Sequence, residues 1–331
     1  MVIVTPGSSD AATGSLDEAR QLTTTTQSGS AISLTVNGQT LTETLSPLGA
    51  ASTIGLLGLN ANVAPTSRLT NLSIRGNVQT AADIIIAGFG TSGTGTKSIL
   101  IRGVGPSLAQ FGVSGVLPAP ELTLFDPAST QIAANSGWGG SSTLSETFGR
   151  VGAFALAPTS ADAAILQSVG VGSYTAELSG VGGTAGVGLT ELYDADAAAP
   201  TARLTNLSAR GPVGEANGIL ILGFVIAGNA PETVLLRGIG PSLSLFGLQQ
   251  VLATPRIDLF DASGTLLDSN ATWGGTDALS SVFVQVGAFP LPAGSNDAAL
   301  LERLPPGAYT VELSGSSGST GLALVEVYEV N

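Results

Sequence analysis

The chain has 331 residues, of which 43% are hydrophobic and only 11% charged, and its net charge of −13 excludes the basic surface that nucleic acid or an anionic membrane requires. It contains no cysteine and no histidine, which removes thiolate and imidazole metal sites, a histidine general base and the Ser-His-Asp triad. The longest strongly apolar run, residues 218–228, is too short to span a bilayer. Carboxylate and Ser-Lys chemistry stay open on these grounds. We expect a non-enzymatic protein that neither binds nucleic acid nor inserts into a membrane.

The N-terminal part of the chain divides into a tail and a hairpin. Residues 1–30 lack an alternating pattern and a signal-peptide pattern, and we expect a polar tail there. Residues 31–66 carry Asn37-Gly38 between alternating residues, which predicts a hairpin with a tight two-residue turn. Residues 42–68, which begin within this hairpin, resemble residues 175–203, and we interpret them as the last two strands of an otherwise missing repeat.

The rest of the chain is a tandem duplication with a period of 135 residues. RLTNLSIRG at 68–76 returns as RLTNLSARG at 203–211, and about 60 of 127 aligned positions are identical. The two copies, residues 67–194 and 203–331, are joined by an Ala/Pro-rich linker at 195–202. A repeat of this length predicts two copies of one folded domain.

Within each copy the pattern is mostly that of strands. Short runs rich in β-branched residues are separated by Gly, Ser, Pro or Asp, and in AYTVELSG the residues Tyr309, Val311 and Leu313 share one face. Two stretches, PSLAQFG and STLSETFGRVGA, have the pattern of short helices. Seven or eight short strands per copy predict an all-β fold of two tandem β-sandwiches or jelly rolls and argue against βαβ units.

The strand and turn motifs carry a family resemblance. The pattern from LTLFDPASTQIAANSGW to SYTAELSGVGGTAGVGLTELYD resembles the bacterial pre-peptidase C-terminal (PPC-like) β-sandwich. The whole repeat, over residues 68–330, is similar to a Gly/Ala-rich module of large secreted and surface proteins of bacteria. The resemblance implies an extracellular or cell-surface accessory module without catalytic residues.

The stretch SILIRGVGPSLAQFG, residues 98–112, looks like a phosphate-binding loop because a β-branched run leads into Gly103-Val104-Gly105. A dinucleotide loop needs a small residue where this chain has Leu108, and no Gly-Lys-Ser/Thr follows. We therefore predict a structural corner that binds no cofactor.

Three arginines recur at equivalent places in the two copies: Arg68 and Arg203, Arg75 and Arg210, Arg102 and Arg237. Because cations are scarce, we expect each to pair with a recurring acid, the alternative being a site for an anionic ligand. The candidate acids are Asp126/Asp261, Asp162/Asp297, Glu177/Glu312 and Glu191/Glu326.

Two oxygen-rich loops are candidate Ca²⁺ sites. One contains Asp126 and Asn135, and the other Asp261, Asp268 and Asn270. Calcium takes six to eight oxygen ligands, whereas the same residue types also cap turns through their side chains. The sequence leaves both roles open.

Trp138 and Trp273, each followed by Gly-Gly, are the two tryptophans of the chain. On an exposed loop they would stack on a sugar ring, and in the interior they would close one end of a sandwich.

We expect a structural protein that assembles with copies of itself, forming a filament by head-to-tail strand addition, or that acts as a spacer. The alternative is an adhesion module that binds surface polysaccharide through these tryptophans.

Overall fold

A computed structural model describes residues 67–80, 83–196, 202–215 and 218–330, together with six strands nearer the N-terminus. The chain forms two compact units, Met1–Pro65 and Thr66–Asn331. No helix in the described ranges is both long and apolar enough to cross a membrane.

The first unit contains six short strands: β1 Val2–Val4, β2 Ala11–Thr13, β3 Gln21–Thr25, β4 Ala31–Asn37, β5 Thr40–Ser46 and β6 Ser52–Leu56. β1 pairs with β2, and β3 to β6 form an antiparallel sheet in sequence order. The predicted hairpin is present between β4 and β5, but Asn37 lies opposite Thr40, so Asn37 belongs to β4 and not to the turn. The tail expected over residues 1–30 contains β1, β2 and β3.

In the second unit, the first copy supplies β7 Arg68–Val78, β8 Ile85–Ser92, β9 Lys97–Val104, β10 Pro120–Phe125, β11 Gln131–Asn135, α1 Ser142–Val151, β12 Ala163–Val169, β13 Gly172–Gly180 and β14 Gly186–Asp194. The second copy supplies β15 Arg203–Val213, β16 Leu220–Ala227, β17 Glu232–Ile239, β18 Pro255–Asp261, β19 Leu266–Asn270, α2 Asp277–Gln285, β20 Ala298–Leu304, β21 Gly307–Gly315 and β22 Gly321–Glu329. The stretch PSLAQF and its equivalent are 3₁₀ helices, Pro106–Phe111 and Pro241–Phe246. Both helical predictions are confirmed.

The sixteen strands of this unit form two antiparallel rows of eight, which we call the first and second sheets. The first sheet has the order β11-β10-β13-β8-β15-β22-β17-β20, and the second β12-β9-β14-β7-β16-β21-β18-β19. A single residue pair, Leu69 and Leu204, links the two rows. The all-β prediction is confirmed.

The two sheets pack face to face around one apolar core. Alternate residues point inward, as in β8, where Ile85, Ala87 and Phe89 are buried between less buried neighbours. A Cβ atom added at Gly103 of the second sheet would lie 2.9 Å from side-chain atoms of Leu122 and Leu178 of the first. One buried cluster contains residues from both sheets and both copies. The unit is therefore a β-sandwich with a shared core.

The predicted pair of separate sandwiches joined by the linker 195–202 is not what the strands form. β7 pairs with β14 of its own copy and with β16 of the other, while β15 pairs with β22 of its own copy and with β8 of the other. Each sheet thus combines four strands from each copy. The physical reason is that β8 and β16 each need a second hydrogen-bonding neighbour, and the first strand of the other copy supplies it.

The prediction that residues 42–68 derive from the last two strands of a repeat stays a prediction, and the two segments pair their strands differently. β13 pairs with β8 and β10, whereas β14 pairs with β7 and β9, so these two strands lie in different sheets. Their supposed counterparts, β5 and β6, instead pair with each other.

A helical layer covers part of the outer face of each sheet. α1 starts after Ser141, whose hydroxyl accepts a hydrogen bond from the Leu144 amide. With the first 3₁₀ helix, it covers β12, β9 and β14, burying Phe148 and Leu108. α2 and the second 3₁₀ helix cover β20, β17 and β22 in the same way. These layers enclose Arg102 and Arg237, which recur at equivalent places in the two copies.

Candidate functional sites

The RGVGPSL stretch is a packed corner, as predicted. A Cβ atom at Gly105 would overlap the carbonyl oxygen of Leu117, so only glycine fits there. The Gly105 amide donates to Asp162 Oδ1 at 2.8 Å, and the Ser107 hydroxyl donates to Asp162 Oδ2. Because a buried carboxylate of the protein already occupies the loop donors, a phosphate has no place to bind. Asp162, expected as an arginine partner, instead holds this corner.

Arg102 lies under the helical layer and is fully buried. Its Nε and Nη2 atoms donate to Glu191 Oε2 at 2.8 and 2.6 Å, and its Nη1 donates to the Phe154 carbonyl at 2.5 Å. The guanidinium carbon lies 4.2 Å from the Phe154 ring centre and 4.9 Å from that of Phe148. The second copy repeats every contact with Arg237, which confirms that these recurring arginines pair with recurring acids.

Tyr193 completes the cluster by donating to Glu191 Oε1 at 2.7 Å. Burial and the nearby Glu191 carboxylate raise the pKa of the Tyr193 hydroxyl above its ordinary value, so it stays protonated as a donor. Every hydrogen-bonding group of the cluster faces another group of the protein. We interpret this arrangement as structural, since both the arginine and the carboxylate are buried and paired with each other.

Lys97, the single lysine of the sequence, is fully buried at the start of β9. Its Nζ lies 2.5 Å from Asp194 and 2.8 Å from Asp196. In the second copy, the position of Lys97 is taken by Glu232, and Arg203 lies 3.1 Å from the Glu329 carboxylate. These ion pairs connect the start of β9 to the end of β14, and the start of β15 to the end of β22.

The calcium candidates cap turns. Asp126 Oδ1 accepts from the amides of Ala128 and Thr130, and Asn135 Oδ1 from those of Gly137 and Ala164. In the part of the chain that the structure describes, no three acidic residues gather as a metal site would require. The turn-capping alternative therefore fits the first loop.

The second loop has the same geometry. Asp261 Oδ1 accepts from the amides of Ser263 and Thr265, and Asn270 Oδ1 accepts from Thr272 and Ala299. The Ser263 hydroxyl and the Thr265 amide lower the pKa of Asp261. The remaining candidate, Asp268, accepts from the amide of the residue that follows it.

Both tryptophans are interior residues, which is the second of the two roles that the sequence left open. Trp138 and Trp273 are 5% and 4% exposed. The Trp138 indole donates to the Ala157 carbonyl and the Ser160 hydroxyl, and its ring packs on Phe148. Because both side chains are almost fully buried in the clusters beneath α1 and α2, the tryptophans pack the helical layer and offer no platform for a ligand.

The structure also contains a pair of surface grooves that the sequence did not reveal. Groove A, of about 410 Å³, lies between the first 3₁₀ helix and the outer face of the second sheet. Groove B, of about 350 Å³, lies between the second 3₁₀ helix and the outer face of the first sheet. Groove A is lined by Ser73, Arg75, Leu108, Phe111, Val113, Phe154, Leu189, Ile221, Gly223, Thr310 and Glu312.

Each groove is built by both copies. In groove A, Arg75 of β7 and Glu312 of β21 flank Ile221 of β16, and the wall is formed by Phe111 and Phe154. Because strands of one copy hydrogen-bond to strands of the other, no pattern within a single repeat places these residues together. This explains why sequence reasoning missed the grooves.

Arg75 and Glu312 do not follow the ion-pair prediction. Neither takes part in any of the ion pairs between described residues. The cations of those pairs are Lys97, Arg256 and two recurring pairs of arginines, Arg68 with Arg203 and Arg102 with Arg237. The charged groups of Arg75 and Glu312 are therefore available at the groove.

Comparison with known proteins adds no function. No family model matches the chain, and no curated protein matches it. Among solved structures, a DUF4785 family protein from Legionella pneumophila is similar with 9% identity and a TM-score of 0.23, over 80% of this chain and 81% of that one. A conserved protein of unknown function from Pseudomonas aeruginosa PAO1 has 13% identity and a TM-score of 0.18, over 88% and 91%.

Proposed function

We propose that the protein is a non-enzymatic structural module of the cell surface or extracellular space that assembles with copies of itself by strand addition. The observation that carries this proposal is that both sheets end in open edges. Within the described residues, β11 pairs only with β10, and β12 only with β9. An edge strand presents unpaired amides and carbonyls to any further strand.

The two ends of the sandwich differ in charge. β11 and β12, with the sequences QIAAN and AAILQSV, contain no charged residue. At the opposite end, β19 carries Asp268, and β20 carries Glu302 and Arg303. Charged residues on an edge strand oppose pairing with another chain. The end formed by β11 and β12 is therefore the better acceptor.

The proposed donor is the N-terminal unit of a second copy. The outer strands of its four-stranded sheet, β3 and β6, have the sequences QLTTT and STIGL, which also lack charge. Addition of one of these strands to β11 would join copies head to tail, and because the contact is not self-complementary it would extend into a filament.

Light scattering and negative-stain microscopy of the full chain test this proposal. We expect filaments or higher oligomers for the full chain and monomers after deletion of residues 1–65. The substitutions Ile132→Lys and Ala134→Lys on β11 are expected to block assembly, because they place charges on the acceptor edge. Their matched controls are Leu267→Lys and Ser269→Lys, the equivalent positions on β19, which leave the acceptor edge intact.

A monomeric full chain contradicts the proposal, and so does assembly that survives the deletion or the β11 substitutions. Equal loss of assembly from the β19 substitutions would show that charge acts on the whole particle and not on the β11 edge. Glycan binding, the alternative function, has lost its expected site at the tryptophans, and the grooves are the place where it can be sought.

A further inference from the structure

We propose that grooves A and B are two equivalent binding sites for neutral polysaccharide, one on each outer face of the sandwich. This inference goes beyond the assembly described above, because the grooves involve central strands and not the sheet edges. It rests on the aromatic wall, the polar floor, the charge balance and the repetition of the groove residues in both copies.

The wall of groove A offers an aromatic surface that is held in place. The Phe111 ring is 59% exposed and packs edge-on against Phe154, with 5.0 Å between ring centres. Phe154 is fixed in turn by the buried guanidinium of Arg102. A large apolar side chain exposed beside a concavity is typical of a ligand site. The C–H face of a sugar ring is apolar and suits such a wall.

The floor of groove A carries hydrogen-bonding groups on a flat surface. Ser73 and Thr310 lie on either side of Gly223 in one row of the sheet. A Cβ atom at Gly223 would lie 2.5 Å from the Ser73 hydroxyl, so glycine keeps the floor open. In the next row, Arg75 and Glu312 stand two strand spacings apart, about 9.5 Å. This spacing lets a guanidinium donor and a carboxylate acceptor reach hydroxyls at opposite ends of one ligand.

Charge and backbone pairing select among ligand classes. Arg75 and Glu312 both line groove A, where their charges cancel, and Arg210 and Glu177 take the equivalent places on either side of Ile86 in the sheet below groove B. The net charge of −13 repels anions, so a neutral ligand is favoured. β7 and β16 are already paired on both sides, so an extended peptide finds no free backbone groups to pair with. A neutral glycan needs neither a net charge nor a free sheet edge.

Repetition of the groove residues supports a shared role. At the eleven positions that line groove A, the 135-residue equivalents are identical at ten, the exception being Val113 and Leu248. Across the two copies, about 60 of 127 positions are identical. Exposed neighbours differ, as Gln110 and Leu245 show beside the shared phenylalanines Phe111 and Phe246. Core packing explains the agreement at Leu108, Phe154 and Leu189, which belong to the cluster under the helical layer. It does not explain the agreement at the exposed Arg75 and Phe111.

The test is affinity electrophoresis of the full chain in gels that contain neutral polysaccharides, namely β-1,4-glucan, mixed-linkage β-glucan, galactomannan, arabinan and α-glucan. Alginate and polygalacturonate serve as anionic probes. We expect retardation by at least one neutral polymer, and titration calorimetry with the matching hexasaccharide is expected to give two sites per chain.

The variants separate groove binding from other effects. Phe111→Ala with Phe246→Ala is expected to weaken binding at least tenfold, and Phe111→Ala alone to reduce the number of sites from two to one. Leu245→Ala is the matched control, since this side chain is 67% exposed in the same 3₁₀ helix but does not line groove B. Arg75→Gln with Arg210→Gln is a second weakening pair that leaves the aromatic wall intact.

Three results would overturn the inference: no neutral polymer retards the full chain, only the anionic polymers do, or both weakening pairs bind as well as the unchanged protein. Each variant is first checked for an unchanged melting temperature. Because the binding assay uses grooves distant in sequence from β11, its failure and a failure of assembly are separate outcomes.

Discussion

Replacing Arg102 by methionine tests whether the buried ion pairs hold the helical layer on the sheet. The substitution removes both hydrogen bonds to Glu191 and the one to the Phe154 carbonyl. The Glu191 carboxylate, 6% exposed, would keep only the Tyr193 hydroxyl as a partner. Removing one member of a buried pair typically costs about 3–5 kcal/mol, because the other charge is left uncompensated. We expect a loss of that size in the free energy of unfolding.

Urea unfolding followed by tryptophan fluorescence measures this loss, because Trp138 packs beside the cluster on Phe148. Arg237→Met is expected to have an equal effect through the second copy, and Arg75→Met, which is exposed and unpaired, to change stability by less than about 0.5 kcal/mol. The double variant Arg102→Met with Glu191→Met is expected to regain at least about 2 kcal/mol over the single one, since it leaves no buried charge.

The reasoning is refuted if Arg102→Met costs less than about 1 kcal/mol, or if the double variant is as unstable as the sum of the two single ones. Either result would mean that packing of the aromatic rings, and not the ion pair, fastens the layer.

Three further predictions concern Gly105 at the corner, Glu302 on the edge strand β20, and the first copy produced alone. Gly105→Ala is expected to destabilise the protein by about 1–3 kcal/mol or more because its Cβ would meet backbone, whereas Gly137→Ala, with open space around it, should be neutral by urea unfolding. Burial and Asp268 raise the pKa of Glu302 above its ordinary 4.5, so the stability that protonation provides is lost as pH rises. Glu302→Gln should therefore raise the melting temperature at pH 7 but not at pH 3.5. Residues 67–196 alone should form a dimer by size-exclusion light scattering, because β7 and β8 each lack a neighbour supplied by the other copy. A folded monomer would contradict this.

The strand content and the corner were predictable because they depend on local features. Alternation along AYTVELSG places Tyr309, Val311 and Leu313 inward, and all three are buried. The arginine partners were predictable only in part: composition indicated that Arg102 pairs with an acid, but the same reasoning failed for Arg75. Burial decides between the two, since a charge removed from water needs a partner and an exposed one does not.

The tryptophans show the opposite case. A Trp-Gly-Gly sequence is equally compatible with an exposed platform and an interior plug, and neither periodicity nor spacing chooses between them. In the structure, Trp138 packs on Phe148 of α1, and its two acceptors, Ala157 and Ser160, lie in the segment that follows this helix.

By itself, the sequence determined the all-β class, the 135-residue duplication, the glycine corners and the absence of cysteine and histidine chemistry. These follow from residue type and from spacing along the chain. Only the tertiary structure decided that the two copies share one sandwich, that the tryptophans are internal and that the grooves exist. Each of these depends on which strand lies beside which, and β7 with β16 or β15 with β8 are partnerships between residues that lie far apart in the sequence.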